Sequence, residues 1–355
     1  MAKRQAVEAL DRTMQDITGV RLPFGGKIMI MGGDFRQVLQ VMRHDTRAQI
    51  VDSSLRMSHI WSSIKKLRLT INMRAPTDPW FLDFLLRVDD GDKESVDGNF
   101  IRIPDDMTIP YTNKNEPKDA LIDAIFHSLQ TCETASNYII SREILTTKNE
   151  HVDEINDQLI ERFGGEEKIY YSFDEAEDDK NNLYPMEFLN SLTVRGLAPH
   201  HLRLKYRCSI ILLRNINPSN ELCNGTRLIC RGFQQNNIDA EIAVGQHADK
   251  RVFLPRIPLC PSKDDMFPFK LKRKQFPVRF CFAMTINKAQ GQTILVVGVY
   301  LPESLFSHDQ LYVALSKGIS RGNTKVLVKP SKKFKQEGIY TSNVVYQEVL
   351  DDDCV

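Results

Sequence analysis

Apolar residues at Ala6, Val7, Leu10, Met14 and Ile17 recur at three- and four-residue steps, with Lys3, Arg4, Asp11 and Arg12 between them. That spacing predicts an amphipathic helix. It begins almost at Met1, with no capping residue and no preceding strand. Gly25-Gly26 breaks the pattern, and residues 27–31 (KIMIM) predict a short buried strand ending at Gly32-Gly33-Asp34. A helix, a strand and a polar site at the strand's carboxyl end follow the grammar of a parallel α/β sheet. Residues 52–69 predict a helix and then a short strand. Residues 78–88 predict a helix with Trp80, Phe81, Phe84 and Leu85 on its apolar side. Turn formers and two prolines make 89–117 irregular. Residues 119–130 read as a helix, 139–146 as a strand and 151–162 as a helix. The acidic run 174–182 (DEAEDDKNN) reads as a surface loop.

Between 199 and 274 the pattern changes. Short apolar runs at 209–213, 226–230, 241–244 and 251–254 alternate with turn signals, which predicts a small β-rich domain. Helix and parallel-strand grammar returns at 278, with strands expected at 280–285, 296–300 and 325–328 and a helix at 309–315. The β-rich part is therefore expected as an insertion within an α/β domain. Composition adds limits. Of 355 residues 42% are hydrophobic and 26% charged, as in ordinary globular domains, and the length suits two or three of them. Lys and Arg number 47 against 46 Asp and Glu, a net charge of +1, which excludes a supercharged nucleic-acid-coating protein and an acidic disordered one. No apolar run reaches 18 residues, so no membrane span is expected, and the first residues lack the apolar stretch of a secretory signal. The seven scattered cysteines have no C-x-x-C pair, so they are read as reduced core thiols and not as metal ligands.

Three polar loops follow predicted strands: Gly32 to Gln37, Asn72 to Arg74, and Thr285 to Thr293. A fourth cluster, Ser316-Lys317, ends a helix. Ligands in open α/β sheets sit beyond the carboxyl ends of strands, Arg and Lys there suit phosphate, and a Gln orients an attacking water. Each cluster alone also has an ordinary reading: Asp34 as a helix cap, Arg74 as a partner of a surface carboxylate, the glycines as a tight turn. From 195 to 231 there are seven Arg or Lys against one acid, and from 250 to 279 nine against two. This basic half, interleaved with Tyr206, Phe233, Phe267, Phe269, Phe276 and Phe280, reads either as a nucleic-acid groove or as a solvated face over core aromatics.

The order of the motifs GGDFRQVLQV, LTINMR, ILTTKNEHVDEIN, LLRNINPSNELCNGTRL, FAMTINKAQGQT and LYVALS resembles that of the Pif-type, superfamily 1B, ATP-dependent DNA helicases, in their Helitron-associated branch. The resemblance runs from residue 1 to about 328. It implies an α/β fold of RecA-like motor domains: 1–60 as the C-terminal remnant of a truncated first motor domain, 61–198 with 276–335 as the second, 199–275 as an inserted small β-barrel domain, and 336–355 as a tail. It implies that Gln37 senses the γ-phosphate and places water, with Gly33 and Asp34 in the network around it. Arg74 would be an arginine finger. Thr285, Asn287, Lys288 and Gln290 would touch DNA, and Gly291 and Gln292 would lie near phosphate. Lys317 stands where relatives carry an Arg that meets the γ-phosphate, and Arg321, four residues on, would substitute for it only in part. Asn287 stands where many relatives have His.

ATP and Mg²⁺ are the cofactors of the intact family. Its phosphate loop, G-x-x-x-x-G-K-[ST], does not occur in these 355 residues; the nearest run, Gly25-Gly26-Lys27, has Arg21 and Ile28 at the other two positions. The acidic pair that holds Mg²⁺ is expected just upstream of the first helix, and Met1 coincides with the Met that follows it in relatives. The implied partners are single-stranded or forked DNA, ATP and a complementing N-terminal helicase part, with no membrane. The implied setting is intracellular, in the nucleus or mitochondrion. Two functional readings stand: a 5′-to-3′ DNA helicase active in repair, recombination, telomere maintenance or Helitron transposition, and a catalytically dead, transposon-derived single-stranded-DNA-binding fragment.

Overall fold

The computed structural model describes residues 2–40, 46–67, 69, 75–91, 95–96, 99–111, 117–127, 129, 136–177, 179, 183–194, 196–261, 267–330 and 338–350. The chain forms two compact units. One joins Met1–Pro117 to Thr285–Val355, and the other is Lys118–Met284.

The first unit opens with the expected helix, Arg4–Thr18, ended by Gly19 in the left-handed conformation at φ 68°. Its buried Asp11 accepts the Phe24 amide and the Gln15 side-chain amide. Phe24 then packs with Val7 and Ile60. The turn presses so closely on the helix end that a Cβ at Gly25, itself at φ 61°, would collide with Thr18 Oγ1 and the Met14 carbonyl. The expected strand at 27–31 does not form. Ile28 and Ile30 are each 91% exposed, and the segment is extended without ladder bonds among the described residues. A continuous apolar run becomes a strand only beside neighbours that take its donors and acceptors.

A capping box between Thr46 and Gln49 starts the helix Arg47–Asp52. In place of the helix and strand expected over 52–69 come two short turns, Leu55–Met57 and Trp61–Ser63. The helix Pro79–Asp89 is as expected. Asp78 caps it, and Phe81, Phe84, Leu85 and Val88 are buried. Trp80 departs from the expectation: it is 46% exposed and lies under the Arg321 guanidinium. The irregular stretch contains the strand Phe100–Ile103, flanked by Ser95–Val96 and Ile339–Ser342. The supposed tail is therefore partly core, since Ile339–Ser342 completes that sheet and Val349 packs with Leu39 and Val51. The parallel pair Val296–Leu301 and Thr324–Val328, with the helix Gln310–Leu315 between them in sequence, is as expected.

The second unit holds the helices Pro117–Ile125, Ser136–Ile140, Asn149–Arg162 and Met186–Ser191 and the strand Arg142–Thr146. The helix Ser136–Ile140 replaces the start of the strand expected at 139–146. Its β-rich part is antiparallel. Arg251–Pro255, Asn237–Ile242, Arg227–Phe233, Ser209–Leu212 and Val278–Phe280 lie side by side in that order. The acidic run is not a loop throughout. Phe173–Ala176 is a strand paired with Leu271–Gln275. Buried Asp174 receives Arg273 Nη2 at 2.6 Å and Nε at 3.0 Å. Arg273 also donates to the Ala198 and Leu189 carbonyls, and Ser172 donates to Asp174.

The basic half shrinks once its partners are seen. Arg203 pairs with Glu167, Arg227 with Glu143, Arg231 with Glu241, Arg251 with Asp239, Lys272 with Glu175 and Glu177, and Arg279 with Asp153. Phe269, Phe276 and Phe280 are buried, while Tyr206 is 49% exposed. Asp174→Ala should destabilise the chain by about 3–5 kcal/mol, because it strands a buried guanidinium, whereas Asp174→Asn, which keeps an acceptor, should cost less. Urea unfolding midpoints of the two variants check this.

Candidate functional site

All the described site residues predicted from the sequence belong to the first unit. Arg74 lies outside the described residues. Gly33 is exposed at the start of a turn, which Asp34 organises. Its Oδ1 accepts the Arg36 amide at 3.0 Å and its Oδ2 accepts Gln37 Nε2 at 3.3 Å. This fixes the Gln37 amide on the carboxylate beside it. Val38 and Leu39 follow as buried residues, so the turn is anchored on one side only.

Thr285 is buried, and after it the chain makes the short 3₁₀ turn Ile286–Ala289. Ile286 and Ala289 point inward and Lys288 outward, with Asn287 and Gln290 half-buried between them. Gly291 takes φ 78°, a left-handed position that suits glycine, and Gln292 follows half-buried. Three side-chain bonds tie the motifs together. Gln290 Nε2 donates to the Val38 carbonyl at 3.3 Å. Gln310 Nε2 donates to Asn287 Oδ1 at 3.4 Å. His308 Nε2 lies 3.0 Å from the Phe35 carbonyl. The Tyr346 amide donates to His308 Nδ1, so the ring proton sits on Nε2 and that nitrogen is the donor to Phe35. The Ile294 amide donates to the Lys317 carbonyl. Lys317 itself is 2% exposed. Arg321 is held by Asp106 and by the face of Trp80, and its amide donates to Asp78.

Sequence reasoning missed the charge cluster behind the turn. Arg36 Nε lies 3.0 Å from fully buried Asp89, out of hydrogen-bond alignment, and its Nη2 lies 3.2 Å from Asp90. Burial, and then the nearby Asp309, push the Asp89 carboxyl up to about 8, although Arg36 pulls the other way. Burial also raises Asp309, which takes a left-handed φ of 50° beside His308. Arg36 was within sight, since it stands between Asp34 and Gln37. Asp89, 53 positions further on, had no signal in the sequence beyond ending a helix.

With this geometry in view, the comparisons are specific. A family model for the PIF1-like helicase matches residues 1–98, and one for the 2B domain of DNA helicase Pif1 matches 187–233. A protein of Danio rerio described as ATP-dependent DNA helicase PIF1 is 23% identical over 339 residues, which is 92% of this chain and 45% of that protein. The chain thus spans less than half the length of that relative. The crystal structure of the Pif1 helicase from Candida albicans superposes with a TM-score of 0.63 at 21% identity, covering 99% of this chain and 74% of that one. A Bacteroides Pif1 helicase solved in complex with ADP-AlF3 and ssDNA gives 0.59 at 18% identity, covering 97% and 75%. The fold is the RecA-like α/β fold of those helicases, with a small domain inserted. The chain is similar to the Pif1-like helicases in both matched segments and in its fold. Among the described residues no helix is long and apolar enough to cross a membrane, and no cluster of His, Cys, Asp and Glu forms a metal site.

The Asp89 carboxyl makes a testable difference to stability. Its folded value is raised from 3.8 to about 8, so the folded protein binds the extra proton. That contribution is complete below about pH 4 and is lost as pH rises through about 8. Asp89→Asn has no proton to lose. Melting temperatures of the wild type should therefore fall relative to Asp89→Asn between pH 5 and 8, and parallel curves would contradict the assignment.

Proposed function

We propose that this chain is the DNA-tracking portion of a 5′-to-3′ DNA helicase, working on single-stranded or forked DNA through ATP hydrolysis. The observation that carries the reading is the joining of three motif segments by side-chain bonds: Gln290 to Val38, Gln310 to Asn287 and His308 to Phe35. A nucleotide-sensing turn and a strand-contacting turn that share hydrogen bonds shift together, and such linkage is what converts nucleotide state into movement along DNA. Gln37, held by Asp34, orients water at the γ-phosphate, with Gly33 leaving room beside it. Arg74 supplies the finger charge. Thr285, Asn287, Lys288 and Gln290 face the strand, with the Gly291-Gln292 backbone near phosphate.

Lys317 is the weak point of the nucleotide site, because an ammonium lacks the planar fork of an arginine. Arg321, engaged with Asp106 and Trp80, is a poor substitute. The domain reading stays with 1–60 as part of motor domain one, 61–198 and 276–335 as motor domain two and 199–275 as the inserted barrel. The 2B-domain match at 187–233 supports the last of these in part. ATP and Mg²⁺ are the proposed cofactors, and a Bacteroides Pif1 helicase solved in complex with ADP-AlF3 supports the nucleotide. The proposed place of action, where a DNA helicase meets its substrate, is intracellular, in nucleus or mitochondrion. The Asn287 substitution supports the Helitron branch. The second reading, a transposon-derived fragment that binds single strands without catalysis, is favoured by Lys317, an ammonium where the family carries a guanidinium fork.

Both readings require a surviving single-strand site, and hydrolysis separates them. The chain should bind labelled oligo-dT weakly. With about 3–5 phosphates neutralised, log K should fall with log salt at a slope of about −2 to −3.5. Lys288→Ala should flatten that slope by up to about one. Fluorescence anisotropy at several salt concentrations measures both. Binding that ignores salt, by folded protein, would overturn the proposed strand contact. Phosphate release appearing when an N-terminal Pif1-type part is added would decide for the helicase.

A further inference from the structure

We propose that Cys208 and Cys230 are a redox-active pair, which a small-molecule disulfide oxidises to an intramolecular disulfide across the five-stranded sheet of the second unit.

Three observations place the two thiols together. The strands Ser209–Leu212 and Arg227–Phe233 are antiparallel with Ser209 opposite Ile229, so one step further sets Cys208 opposite Cys230. The backbone confirms that step: the Cys230 amide donates to the Cys208 carbonyl at 3.0 Å, and the Arg207 amide donates to the Cys230 carbonyl at 2.8 Å. The thiols are near enough that Cys208 helps to hold the Cys230 thiol up. The two residues share one ladder bond, and opposed residues of antiparallel strands have Cα atoms about 4.5–5.5 Å apart. That lies within the range a disulfide spans, about 4.4–6.8 Å.

Both cysteines are fully buried, so a route for the oxidant is needed. Cys208 closes a tight turn in which its amide donates to the Lys205 carbonyl. Arg207 in that turn holds a left-handed φ of 67°, an uncommon conformation for a side-chain-bearing residue, and its neighbour Tyr206 is 49% exposed. Opening this turn brings Cys208 to solvent without disturbing the middle strands. Cys230 lies deeper in its strand. Burial and the nearby Cys208 hold its thiol well above the ordinary range, so it does not react first.

The steps balance. The Cys208 thiolate attacks a disulfide RSSR, forming a Cys208–S–SR bond and releasing RS⁻, which takes up the proton that Cys208 lost. Cys230 then gives up its proton and attacks the Cys208 sulfur. The Cys208–Cys230 bond forms and the second RS⁻ leaves with that proton. Two thiols are oxidised, and one RSSR is reduced to two RSH. The product closes a short loop that includes residues 209–229, so the turn can no longer peel from the Arg227–Phe233 strand.

The test uses the full chain and oxidised glutathione under native conditions, followed by an acid quench, alkylation of remaining thiols and trypsin. Cleavage after Arg207, Arg214, Arg227 and Arg231 leaves the two cysteines on separate peptides, 208–214 and 228–231. The expected result is that these peptides become linked, two hydrogens lighter than their sum, as the main product of both cysteines. Amide exchange in 209–212 and 227–231 should also slow, on the order of a hundredfold where exchange requires unfolding of the unit. Cys208→Ser should remove the link, and Cys230→Ala serves the same purpose if the first variant does not fold. Glutathione held only at exposed Cys260 or half-buried Cys223 would overturn the proposal. So would Cys208 stopping at the mixed disulfide, or Cys230 linking to other cysteines as readily as to Cys208.

Discussion

The backbone carbonyls of the turn after Gly33 organise the candidate site. Among the described residues, 34–39 pair with no strand, so the acceptors of Phe35 and Val38 take donors from elsewhere, and a buried carbonyl without one costs about 1–3 kcal/mol. The donors come from side chains more than 250 residues away in sequence, Gln290 and His308. Each donor sits in its own motif, one in the turn after Thr285 and one just before the helix Gln310–Leu315. Meeting two backbone acceptors therefore also sets the spacing of three functional segments. The Tyr346 amide extends the constraint by fixing the proton on His308, so a residue near the end of the chain selects which way that ring can donate.

Charge works in the opposite sense. Asp89 and Asp309 are buried close to Asp34, and a single guanidinium, Arg36, stands between them. Keeping all three carboxylates ionised there would be costly, so a proton on Asp89 is the cheaper arrangement near neutral pH. The turn carrying Gln37 is thus held by hydrogen bonds on its outer side and rests on a protonatable acid behind it.

Elements whose pattern reports burial on one face could be read from the sequence. The helix Pro79–Asp89 and the parallel pair after residue 296 fall where periodicity placed them, because each covers its apolar side within its own unit. The helix Arg4–Thr18 also falls where periodicity placed it, although only Val7 and Asp11 are buried and Leu10 and Ile17 are exposed. The segment 27–31 misled because the apolar run 28–31 describes what a strand needs around it, not what it has. The acidic run misled in another way. A window of charges cannot show that Asp174 faces Arg273 or that Arg227 faces Glu143, so both the surface loop and the basic half were overestimated. Within the site, Asp34, Gln37, Asn287 and Gln290 were legible from the motifs. Asp89 was not, since its role depends wholly on a partner distant in the chain.

The buried pair of Asp174 and Arg273 joins positions 99 residues apart. Contacts of such separation raise contact order, and the second unit must close this long loop before the pair contributes anything, which slows folding. The cost of closure grows only with the logarithm of loop length, about 0.6 kcal/mol for each doubling. The polypeptide between the two residues is therefore free to lengthen or shorten across evolution at little thermodynamic cost, provided both ends of the clasp persist. A unit so arranged can accept changes in the intervening sheet and keep the same frame.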